Sequence, residues 1–199
     1  MKINTSKLET TTIALVSIVT FLFLYLFPGG PISADEIQYL SMAIDPYPHD
    51  ILVSRYFHVY FQKLFVTIFD SPIKASTTYW SFLITASSLF IYLIAKKYAG
   101  ILAGALSVVF FLFNPFISHL YTGVSYTDFT LMLVLTAICY LLLFEIKTPK
   151  YEIANSFLVG TLLFLSFKSK EVSLIILPCI LIYFLNSWSS PDFVECIII

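Results

Sequence analysis

Six apolar runs, each close to the length of a membrane span, leave this chain few ways to fold. They are Thr11–Phe27, Thr77–Ala95, Gly100–Ile117, Phe129–Phe144, Ile153–Phe167 and Val172–Trp188. A helix crosses the bilayer core with about 20 apolar residues, over a range of roughly 17 to 25. The shorter runs gain tyrosine and tryptophan at their flanks, which suit the membrane interface. None carries an ionisable residue in its interior. Hydrocarbon offers no partner to a free peptide group, so spanning segments are helices or closed barrels. The expected fold is all-α, a polytopic transmembrane bundle of about six spans forming a single domain over residues 1–199. Charged residues at 12% and a mean hydropathy of +0.90 exclude an ordinary soluble domain. A net charge of -1 gives no footprint for nucleic acid. Cys139, Cys179 and Cys196 are scattered, and the first two lie inside apolar runs as small hydrophobes.

Lysines orient the bundle. Lys2 and Lys7 precede the first run, Lys96 and Lys97 follow the second, and Lys147 and Lys150 lie between the fourth and fifth. These alternate ends fall on one side, which the positive-inside rule makes cytoplasmic, N-terminus included. The first run also has some marks of a signal peptide, with a weakly basic start and "ISA" before Asp35. Its length and the runs that follow favour an uncleaved anchor. The segment "LVSRYFHVYFQKLFVTIF", residues 52–69, complicates the count. Arg55, His58, Gln62 and Thr67 form a polar stripe at near-helical spacing, which suits a helix in the interface or packed on other helices. It is placed outside, in a long outer loop, 28–75, that carries interfacial helices.

This topology gathers the chemistry on the outer face. Asp35 and Glu36 sit in "SADEIQYLSMA", just past the first span. Asp128 opens the fourth span. Lys168, Lys170 and Glu171 fill the tight turn "FKSKEV" between spans five and six, against the positive-inside bias. Carboxylates and lysines together suit acid–base chemistry on a phosphate-bearing substrate. Blander roles fit the same residues. Ser33-x-x-Glu36 and Ser125-x-x-Asp128 have capping-box spacing, and acids in a first helical turn favour the macrodipole. A cap needs only Glu36, so Asp35 is left over. Either lysine can snorkel to lipid headgroups. His49, His58 and His119 suit interfacial polar positions. His49-Asp50 and His58 are candidate metal ligands, but no tight ligand pair appears. No cofactor is assigned, and a divalent metal is the one candidate.

Three stretches in order, "SADEIQYLSMA", "NPFISHLYTGVSYTDFTLMLVLTAICYLLL" and "GTLLFLSFKSKEVSLIILPCILIYFL", resemble the GT-C membrane glycosyltransferases. The likeness is closest to glycosyltransferase family 39, the group of protein O-mannosyltransferases and lipid A aminoarabinose transferases. It covers the N-terminal part of such enzymes, and at 199 residues the chain is expected to be a truncated form or a fragment. The resemblance implies sugar transfer from a polyprenyl-phosphate carrier to a lipid, glycan or protein acceptor at the outer face of the cell membrane. It implies Asp35 as catalytic base and Glu36 as its partner, since close carboxylates raise one pKa into a useful range. Lys170, then Lys168 and Arg55, would meet the departing phosphate. Asp128 would orient the sugar or a lysine, and Tyr39, one helical turn from Asp35, would hold that acid. The rival readings are a transporter-like subunit and a non-catalytic membrane scaffold. A transporter tends to carry ionisable groups and broken helices within the membrane, of which only Pro178 in the sixth run is a trace.

Overall fold

The computed structural model describes residues 5–26, 34–45, 55–114, 127–143, 149–170, 173 and 177–178. Among these the chain forms six helices and no strand: α1 (Thr5–Leu26), α2 (Ala34–Ile44), α3 (Tyr56–Ile68), α4 (Pro72–Leu112), α5 (Thr127–Leu143) and α6 (Pro149–Ser169). Two are long and apolar enough to cross a membrane, α1 over Glu9–Leu26 and α4, and α5 is a shorter apolar helix. The run expected as a sixth span, Val172–Trp188, lies almost wholly outside the described residues.

Helix α4 contains what the sequence reads as the second and third spans. Pro72 starts it at a position where a missing N–H costs nothing. Lys96 and Lys97 are helical rather than a loop, and the break falls at Gly100, with φ 85° and ψ 177°. Glycine suits this backbone because a Cβ disfavours positive φ. The two arms then fold back on each other. A Cβ on Gly104 would lie 2.9 Å from the Tyr92 ring and 3.0 Å from the Tyr92 carbonyl oxygen. Twelve residues of straight helix would separate those positions by about 18 Å. A single residue therefore turns the hairpin, and Gly104 allows the arms to touch.

Helices α1 and α5 flank α4, α6 lies against α5, and α3 bridges α4 and α6 with α2 packed on it. The core joins Leu24, Tyr79, Trp80, Leu83, Ile84 and Phe129, with Trp80 stacked on Phe129 at 6.5 Å between centroids. Beside that core small polar residues face inward, while many large apolar ones face out. Thr20, Ser76, Ser81, Ser87 and Ser88 are buried; Leu15, Ile18, Leu26, Leu102 and Phe110 are exposed. Ser87 and Ser88 donate to the carbonyls of Leu83 and Ile84, both at 2.8 Å. This inversion fits a lipid surround, where helices meet through small and polar side chains.

The bundle has two distinct ends. At one, Lys96 pairs with Glu9 of α1 and Lys97 donates to the carbonyl of Leu143 at the end of α5. The N-terminal part of α1, the tip of the α4 hairpin and the end of α5 meet there. At the other, the start of α5 meets the end of α6 through an ion pair between Asp128 and Lys170.

Candidate active site

Short helices α2 and α3 carry the candidates of the segment 28–75. Asp35 and Glu36 lie in the first turn of α2, and the described side chains of that helix begin at Ile37. The candidate capping serines, Ser33 and Ser125, and the histidines His49 and His119 lie outside the described residues. Tyr39, Met42 and Val59 form the small core joining α2 to α3.

Tyr39 is 1% exposed, and its hydroxyl accepts a hydrogen bond from the Arg55 guanidinium. The guanidinium carbon sits 5.9 Å from the Tyr39 ring centroid, at the outer limit of a cation–π contact, so the hydroxyl is the main tie. This is a described partner for Tyr39 other than the one expected, Asp35.

The polar stripe on α3 turns inward. His58 and Gln62 are buried, whereas Thr67 is exposed and bonds the Leu64 carbonyl at 2.7 Å. The opposite face, Tyr56, Tyr60, Leu64 and Ile68, is exposed. Of the two settings the stripe suits, packing on other helices is the one found for His58 and Gln62. The His58 Nδ1 lies 2.8 Å from Thr130 Oγ1 of α5 and 3.2 Å from the Tyr79 hydroxyl of α4. Those two hydroxyl oxygens are 2.8 Å apart. The other face of the cluster is Tyr39, edge-on to His58 at 4.9 Å between centroids. Burial, and secondarily the Arg55 charge, lower the His58 pKa to about 3 and keep the ring neutral. His58 Nε2 and Gln62 Oε1 are buried without hydrogen-bond partners among the described residues.

The lysine turn differs from its expected form. Lys168 is in the last turn of α6, not in a loop. Its ammonium lies over Phe164 and Phe167, at 5.8 and 5.7 Å from their centroids, the arrangement of a stem laid along apolar surface. Lys170 follows the helix, its N–H bonded to the Ser166 carbonyl at 3.0 Å. Its ammonium is paired with Asp128; the two side chains are 24% and 22% exposed. The Lys170 charge thus has a partner within the fold. The ammonium has three donors, so one carboxylate does not exhaust it.

The structure therefore brings together Tyr39 with Arg55, and Asp128 with Lys170, at the end of the bundle where α3 packs on α6. Sequence reasoning missed Tyr79 and Thr130. Their one signal was a hydroxyl within an apolar run, which in a membrane helix tends to face protein. No group of three or more His, Cys, Asp or Glu side chains gathers among the described residues. A separate apolar groove of about 380 Å³ runs between α1 and the second arm of α4, lined by Leu15, Val19, Phe23, Val108, Leu112 and Phe113 among others. It shares no residue with the polar cluster.

Residues 56–194, more than half of the chain, match the family model of dolichyl-phosphate-mannose-protein mannosyltransferases. No curated protein and no solved structure matches the chain. The matched stretch includes Asp128, Lys168 and Lys170, while Asp35, Glu36, Tyr39 and Arg55 precede it. The chain belongs to the dolichyl-phosphate-mannose-protein mannosyltransferase family.

Proposed function

We propose that this chain forms part of a membrane glycosyltransferase that moves a sugar from a polyprenyl-phosphate carrier to an acceptor at the outer face of the membrane. The observation that carries the reading is the pairing of Arg55 with Tyr39 and of Lys170 with Asp128 at one end of the bundle. The family match supports the same chemistry. A lipid-linked donor keeps its chain in the bilayer and presents phosphate and sugar at headgroup level, where that end would lie.

In the proposed step, Asp35 takes the proton of the acceptor hydroxyl, with Glu36 raising its basicity. The acceptor oxygen bonds to the anomeric carbon as the bond from that carbon to the phosphate oxygen breaks. The phosphate leaves with the electron pair, and its growing charge is met by Lys170 and Arg55, with Lys168 at the rim. Asp128 holds Lys170 and Tyr39 holds Arg55, so both cations would be set in place before the charge develops. Transfer by Asp35→Asn, in protein that inserts and expresses normally, tests the assignment. The expected result is loss of transfer. Near-normal transfer would remove Asp35 as the base and leave the first turn of α2 a helix start only.

A further inference from the structure

The geometry points to His58 as a positioning residue, whose ring, fixed by Tyr79 and Thr130, backs Tyr39 so that Arg55 is held for the donor phosphate. The inference rests on the reading that Arg55 meets that phosphate. Three elements converge on the imidazole. Thr130 of α5 and Tyr79 of α4 fix Nδ1, and Tyr39 of α2 packs edge-on against the ring. Arg55 then donates to the far end of Tyr39. The path runs from two bundle helices through one ring to the guanidinium. Arg55 also precedes His58 by three residues, so the start of α3 holds its backbone while Tyr39 holds its head.

The residue type fits this role better than it fits packing. An apolar ring at position 58 would remove the ring nitrogen that the hydroxyls of Tyr79 and Thr130 share and leave them mainly each other. A lysine or arginine would bring a second cation beside Arg55. A neutral imidazole gives the hydroxyls a polar partner without charge, and burial keeps it neutral. The fold tolerates a cost for this choice. His58 Nε2 and Gln62 Oε1, one turn apart, are buried with no partner among the described residues, and buried polar atoms are rarely left so.

The test measures affinity of the full chain in nanodiscs for a short polyprenyl phosphate, with the matching polyprenol as control. The variants are Arg55→Ala, His58→Asn, His58→Gln and the double variant Arg55→Ala/His58→Gln. Asparagine places its amide near the position of Nδ1, and glutamine near that of Nε2. Arg55→Ala and His58→Gln are each expected to weaken phosphate-dependent binding about tenfold, and the double variant no more than Arg55→Ala alone, because the two act as one unit. His58→Asn keeps a polar partner for the two hydroxyls but lacks the ring against Tyr39, so its affinity is expected to fall between wild type and His58→Gln. Equal affinities for His58→Asn and His58→Gln would overturn the inference, as would losses that multiply in the double variant. An unchanged affinity in Arg55→Ala would instead overturn the Arg55–phosphate reading itself.

Discussion

The two ends of the bundle each set a lysine against a carboxylate, yet their surroundings differ. At the hairpin end, Lys96 pairs with Glu9 and Lys97 caps the α5 carbonyl of Leu143. Both cations serve to join helix ends; Lys96 is 21% exposed and Glu9 42%. At the other end, Asp128 and Lys170 are each less than a quarter exposed. Arg55 and a buried neutral histidine belong to the same end, on the helix that packs against α6. The pairing alone does not tell a structural lysine from a functional one. What tells them apart is the polar cluster of His58, Tyr79 and Thr130 behind Arg55.

The largest contrast between the ends is expected in acid. Below pH 6.5 an unfolded histidine takes a proton that the folded His58 refuses until about pH 3. The unfolded state then binds more protons, so stability falls with falling pH across that window, by at most about 1.4 kcal/mol per pH unit. Thermal unfolding in nanodiscs from pH 7 to pH 4 checks this. His58→Asn should remove that part of the slope, and substitutions at the hairpin end should leave it; an unaltered slope in His58→Asn would erase the contrast.

A smaller contrast is expected between the two ion pairs. Asp128→Ala leaves Lys170 part-buried without its described carboxylate and should cost about 1.5–3 kcal/mol, as for hydrogen bonds to charged groups. Lys96, at 21% exposed, is no more open than Lys170, so the contrast rests on the acids: Glu9, 42% exposed, is the more solvated partner, and Glu9→Ala should cost under about 1 kcal/mol. Unfolding of the two variants side by side measures the difference, and equal losses would make the ends equivalent.

Much of the helical framework is legible in the apolar runs, because a spanning segment has almost no other way to satisfy its backbone. The lysine alternation likewise anticipates that Lys96, Lys97 and the end of α5 share one end. The direction of the α3 stripe was less legible. Spacing shows that His58 and Gln62 share a face, but not where that face turns. In a membrane protein the outward face is apolar as well, so Tyr56, Tyr60, Leu64 and Ile68 give no inward signal. The turn at Gly100 was missed because lysines draw attention to positions 96–97, while a positive φ leaves no mark beyond a glycine. Asp128 with Lys170, and His58 with Tyr79 and Thr130, are pairings across 21 to 72 residues, set by packing and not by any local pattern.

The claim that one end of the bundle is built for a lipid phosphate is tested most directly by comparing Lys170→Ala with Lys96→Ala. The measurement is affinity for polyprenyl phosphate relative to uncharged polyprenol in nanodiscs. Lys170→Ala is expected to weaken the preference for the phosphate by about ten- to a hundredfold, the worth of one charge-assisted contact. Lys96→Ala is expected to leave it unchanged, and Lys168→Ala to cost less than Lys170→Ala. Absence of any preference for the phosphorylated lipid, or equal behaviour of Lys170→Ala and Lys96→Ala, would contradict the account and make both lysines fasteners of the fold.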